Sequence, residues 1–209
     1  MPAINSPIAF SSPAHVAAFN MPAINSLQDL LADQLNGLFS AEQQLIEALP
    51  KMAEASTGEG LKQGFLDHLK ETKVHATRLE NALAQLGIKG GRKTCKAMQG
   101  LVAEGVEVIA LDSPGPIRDV ALIGAARRVE HYEIAAYKAT RALAGAVNED
   151  SVADLLQQTL DEEADADKKL CTLSGPITEA ANEGAPATAN ASGPRSKRSA
   201  SAPVEKKKK

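Results

Sequence analysis

Four stretches of this chain, near residues 27–52, 60–86, 117–146 and 151–173, carry an apolar residue at every third or fourth position. That spacing follows the α-helical turn of about 3.6 residues and gives each segment one apolar face. Segments this long cannot be strands of an ordinary sheet, and none can bury its face alone. The punctuation agrees with helices. Ser26 is placed to cap the first, Gly87 to stop the second, "DSPGP" at 112–116 to precede the third and "SGP" at 174–176 to end the fourth. Pro50 is expected to kink or end the first helix.

Connection lengths set the topology. Short turns join the first helix to the second and the third to the fourth, so each pair is an antiparallel hairpin. The second and third are separated by "GIKGGRKTCKAMQGLVAEGVEVIALDSPGP", long enough to run the length of a bundle, with a short helix over about 95–110 that Thr94 would cap. The expected fold is all-α: a ferritin-like four-helix bundle with one long crossover carrying a short helix. The hydrophobic fraction is 44% but aromatics are only 3% and tryptophan is absent, so the core must be built from Leu, Ala, Val and Ile. Residues 1–26 read as a flexible leader, 27–175 as the bundle and 176–209 as a disordered basic tail.

The apolar faces contain polar residues where a bundle should be driest. The first helix reads Leu31, Gln34, Leu38, Glu42, Leu45, Leu49 along its seam. The second reads Leu61, Phe65, His68, Thr72, His75, Leu79, Leu86, with Glu71 one turn from either histidine. The third places Glu130 and Glu133 within "VEHYEIAAY". The fourth reads Val152, Leu156, Thr159, Glu163, Asp167, Leu170, with Glu162 beside the seam. Unpaired buried carboxylates cost several kcal/mol or titrate to neutrality. A bound cation removes that penalty, and mixed carboxylate and imidazole donors suit iron, manganese or zinc. Glu42, His68, Glu71, His75, Glu130, Glu133, Glu163 and Asp167 are therefore the candidate metal ligands, with the choice between His68 and His75 open. The competing reading pairs these acids with Arg127, Arg128 or solvent in a metal-free structural or protein-interaction bundle.

The chain resembles the YciE/YciF family of bacterial ferritin-like stress proteins over about residues 27–173. The matching stretches are "AEQQLIEALPKMAEA" at 41–55, "HLKETKVHATRLE" at 68–80, "KTCKAMQGLVAEG" at 93–105, "RDVALIGAARRVEHYEIAAY" at 118–137 and "LLQQTLDEEADADKKL" at 155–170. The resemblance implies a dinuclear metal site and a homodimer, and it implies no settled reaction; the leading expectation is a di-metal bundle, iron first, that handles iron, oxygen or peroxide under stress. Di-iron carboxylate proteins of the wider class carry Glu-x-x-His on two helices. Here the position three after Glu163 is Ala166, so a site richer in carboxylate is expected.

Charge and cysteine usage bound the rest. Residues 195–209 carry seven basic side chains against Glu205, so the remainder is more acidic than the formal −3 of the whole chain. Such a tail is expected to contact nucleic acid weakly, if at all, with steep salt dependence. Cys95 and Cys171 are too few for a disulfide framework. With no membrane span and no secretory pattern in its opening residues, the chain is expected to be cytoplasmic.

Overall fold

The computed structural model describes residues 24–91 and 93–183. Its elements are α1 (Leu27–Ala55), α2 (Glu59–Gln85), α3 (Lys96–Ile109), α4 (Gly115–Ala146) and α5 (Asp150–Glu183), with no strand among the described residues. The packing of α1 on α2 and of α4 on α5 is the most extensive, as expected of two hairpins, and α2 against α5 and α1 against α4 close the bundle. The leader through residue 23 and the tail from residue 184 lie outside the described residues.

Local sequence explains the helix ends. Ser26 caps α1 by accepting from the Asp29 amide at 3.0 Å, and the Asp29 carboxylate accepts in turn from the Asn25 amide at 3.0 Å. Past α2, Gly87 adopts φ +68, where a side chain would be strained, and the Ile88 amide reaches back to the Leu83 carbonyl at 2.9 Å. Cys95, not Thr94, caps α3, with Sγ accepting from the Met98 amide at 3.4 Å.

Neither α1 nor α5 ends at its proline. Pro50 lies inside α1 and Pro176 inside α5, which runs on to Glu183. Both prolines face solvent, where the ring meets no neighbouring helix and a carbonyl left without a helical partner can be hydrated. Leu173 and Ile177 of this extension pack on the core, and the helix continues to Glu183 with most of its last turns exposed.

The crossover returns the chain to the end where α2 began. There a Cβ on Gly115 would sit 2.6 Å from Thr57 Cγ2, so only glycine admits this approach of α4 to the α1–α2 turn. Buried Asp119 fastens the same junction. Its carboxylate accepts from the Thr57 amide at 2.9 Å, the Thr57 hydroxyl at 2.8 Å and the Gly58 amide at 2.8 Å. Gly58 offers no side-chain cap to α2, so Asp119 supplies one from another helix.

The core is divided. One apolar cluster gathers Leu45, Leu49, Met52, Leu61, Phe65, Leu122 and Val129. The other gathers Leu31, Leu35, Leu38, Leu79, Leu83, Tyr137, Leu156 and Leu160. The residues between them on all four long helices are polar, and they form the site.

Candidate metal centre

The structure brings six of the eight candidate residues together. Glu42 comes from α1, His68 and His75 from α2, Glu130 and Glu133 from α4, and Glu163 from α5, and all are buried. Donor atoms of His68, Glu130, Glu133 and Glu163 lie within 4.8 Å of one another, and so do those of Glu42, His75 and Glu163. Glu163 belongs to both groups. Its Oε1 stands 2.8 Å from His75 Nδ1 and its Oε2 stands 3.7 Å from His68 Nε2. The two imidazole centroids are 6.3 Å apart.

Glu71 and Asp167 are not brought into this cluster. On α2 the buried stripe runs through His68, Thr72 and His75, and Glu71 falls beside it, one-third exposed. Its Oε2 lies 3.3 Å from His68 Nδ1 and its Oε1 accepts from Lys169 at 3.2 Å. On α5 the buried stripe steps from Glu163 to Ala166 and then Leu170, which turns Asp167 toward α4. There Asp167 accepts from Arg127 Nε at 2.7 Å and lies 3.5 Å from the exposed His131. Arg127 is thus engaged outside the cluster, and Arg128 pairs with Glu104. No Lys or Arg forms an ion pair with the four clustered glutamates among the described residues.

Each histidine turns one nitrogen inward and gives the other to an outer carboxylate. For His68 the outer partner is Glu71. For His75 it is Glu162, whose Oε2 lies 2.8 Å from Nε2 and which is itself gripped by Arg78. Such outer carboxylates fix the tautomer and orientation of a ligating imidazole. The role of Glu162 was not legible from its place beside the seam. Arg78, one turn beyond His75, was the available signal. Tyr137 is fully buried and donates to Glu42 Oε1 at 2.5 Å, leaving Oε2 facing inward.

Protonation responds to this crowding. Burial, with repulsion from Glu163, Glu42 and Glu130, pushes the Glu133 carboxyl well above its ordinary range. Burial does the same to Glu130, partly offset by His68, and raises Glu42 despite its contact with His75. Burial also acts against Glu163, but His75 and His68 outweigh it and hold this carboxyl below the usual value. Burial disfavours the imidazolium forms, yet the surrounding carboxylates raise His68 to about 9 and His75 to about 10. Glu71, bonded to His68, is lowered to about 2.

Hydrogen bonding tests whether cations fit. Among the described residues, the buried side-chain polar atoms without a well-formed hydrogen bond are Glu42 Oε2, Glu130 Oε2, both oxygens of Glu133, Glu163 Oε2, the facing pair Glu163 Oε1 and His75 Nδ1, which lie 2.8 Å apart, and, away from the site, Ser113 Oγ. Orphaned buried groups are rare in folded proteins. Here nearly all converge at one level, and all are oxygen or nitrogen donors of the kind that iron, manganese and zinc accept. The donor set, four glutamates and two histidines, forms two groups whose chemistry suits such an ion.

A family model described as a domain of unknown function, DUF892, matches residues 26–183. The chain belongs to the DUF892 family. Protein YciF of Escherichia coli is 40% identical to this DUF892 chain over 152 residues, which are 72% of the chain and 92% of YciF. The crystal structure of the E. coli stress protein YciF aligns with a TM-score of 0.72 at 38% identity, covering 75% of this chain and 99% of that one. The resemblance read from the sequence is therefore upheld. Two more distant structures carry the same ferritin-like bundle. A dodecameric thioferritin from Bacteroides fragilis aligns at TM-score 0.60 and 19% identity, covering 75% of this chain and 90% of its own. Ferritin-like, diiron-carboxylate proteins from Bacillus anthracis align at TM-score 0.58 and 17% identity, covering 73% of this chain and 100% of their own. Among the described residues no helix is long and apolar enough to cross a membrane.

Proposed function

We propose that this DUF892 protein binds two metal ions, iron in the first instance, and handles iron, oxygen or peroxide during stress. The observation that carries the reading is the doubly shared Glu163, whose two oxygens face two separate groups of buried donors. One ion would be held by His68, Glu130, Glu133 and Glu163, the other by Glu42, His75 and Glu163. Four carboxylates balance the charge of two divalent cations, which accounts for acids that no Lys or Arg neutralises. The likeness to the stress protein YciF, and the diiron-carboxylate relatives that share the fold, support the same reading. Bound in such a site, metal ions supply redox chemistry and Lewis acidity toward a small oxidant. The chain's own contribution is to hold the donors in place, through Glu71 on His68, Glu162 on His75 and Tyr137 on Glu42, and to surround them with two apolar clusters that limit water. A homodimer in the cytoplasm is part of the proposal, and sedimentation at micromolar concentration tests the dimer.

The test of metal binding uses Glu130→Gln and Glu163→Gln, which keep volume and polarity and remove a charge. Both are expected to lower metal content and to abolish the metal-dependent rise in melting temperature. Unchanged content and unchanged melting in both variants would return these acids to a metal-free bundle.

A further inference from the structure

A cavity of about 160 Å³ lies between α2, α4 and α5 and reaches the cluster. His68 and Glu130, both buried, form its inner wall, while Asp67, Glu71 and Lys169 line it toward solvent. Two larger cavities, lined by residues of α1, α3, α4 and the crossover, touch none of the six clustered residues. Small residues keep the passage open. Ala166 lines it from α5 and Gly64 from the interior of α2. Glycine inside a helix is less stable than alanine. A Cβ at Gly64 would meet Leu173 Cδ1 at 3.8 Å, an ordinary contact, so packing alone does not demand glycine there.

We propose that this cavity is the route by which divalent cations reach the centre, and that the Glu71–Lys169 ion pair at its mouth sets the rate of uptake. The inference rests on the dinuclear reading above. Glu71, one-third exposed, attracts a cation, whereas the Lys169 ammonium repels it and occupies Glu71 Oε1 at 3.2 Å; exposed Asp67 beside it is paired with Lys70 at 2.7 Å. When Lys169 swings away, that oxygen is free to accept the ion, one helical turn outside His68 and Glu130. A gate of this kind changes how fast the site fills and leaves the final occupancy alone.

The experiment mixes metal-stripped full-length protein with cobalt(II) and follows its visible ligand-field bands by stopped flow, while equilibrium dialysis gives the final content. Lys169→Gln is expected to fill about threefold faster or more at low salt, with the gain fading as salt rises. Gly64→Leu is expected to fill roughly tenfold more slowly, the passage being blocked, after its helicity shows that it has folded. If it does not fold, Lys169→Glu replaces it and is expected to be faster still. Final cobalt content should match the wild type throughout. Equal uptake rates for Lys169→Gln and wild type at low salt, or a folded Gly64→Leu that fills as fast as wild type, overturn the passage while leaving the dinuclear reading intact. A wild-type chain that retains no cobalt overturns both.

Discussion

Glu133→Met separates what the site does for function from what it does for stability. Glu133 is fully buried, neither carboxylate oxygen has a partner, and burial with three neighbouring glutamates drives its carboxyl toward the protonated form. A neutral buried carboxyl with unmade hydrogen bonds costs about 1–3 kcal/mol. Methionine has nearly the same length and volume, so the packing penalty is small, under about 1.5 kcal/mol. The metal-free variant should therefore be more stable than the wild type by about 1–2 kcal/mol, a rise of roughly 2–8 °C in melting temperature for a chain of this size. With metal the order reverses. Ligand at about 100 times its Kd adds about 2.7 kcal/mol to the wild type, and most of that gain should be missing in the variant. The assay is a pair of thermal melts, one with chelator and one with saturating iron(II) under anaerobic conditions. A variant less stable than the wild type in chelator would refute the reasoning, because Glu133 would then make favourable interactions in the metal-free fold.

Other outcomes follow from neighbouring contacts. Asp119→Ala removes three hydrogen bonds that join the α1–α2 turn to α4 and strands the Thr57 and Gly58 amides, so urea unfolding should show a loss of about 2–4 kcal/mol. Glu162→Gln weakens the outer support of His75, and competition titration against a chelator should show metal affinity reduced about 10–100-fold with little change in the chelated melt. Asp167 is lowered below 3.8 by its bond to Arg127, so its contribution to stability is present above pH 3.8 and is lost as pH falls through the lower folded value. Asp167→Asn should flatten that acid limb of a pH-stability curve and leave metal content unchanged. In the metal-free protein His68 and His75 hold protons up to about 9 and 10, so metal must displace them and affinity should climb as pH rises toward that range.

The bundle was legible because periodicity and connection length are strong signals. The helices over 27–52, 60–86 and 117–146 and the short crossover helix appear within a few residues of their expected places. Neither helix ends at its proline, and both prolines face water, where a carbonyl left without its helical partner can be hydrated. The site residues divide in the same way. Glu42, His68, His75, Glu130, Glu133 and Glu163 all lie on regular steps of three or four and are buried. Asp167 was reached by extending α5 four residues from Glu163, but the seam there advances by three, to Ala166, as side-chain packing between α4 and α5 decides. Glu71 was placed one turn from both histidines, and spacing alone does not tell a carboxylate that enters the cluster from one that supports it from outside. Tyr137 and Glu162 act through contacts between helices nearly a hundred residues apart, and Arg78 near His75 is the local signal for Glu162 alone.

The most direct test of the central claim is the metal stoichiometry of the full-length protein. Metal-stripped chain is dialysed against iron(II) without oxygen, its content is measured by elemental analysis, and X-ray absorption reads the ligands. The account predicts two ions per chain, bound by oxygen and nitrogen donors, with a metal–metal distance consistent with the shared Glu163. A folded chain that retains no iron, manganese or zinc above background would contradict it.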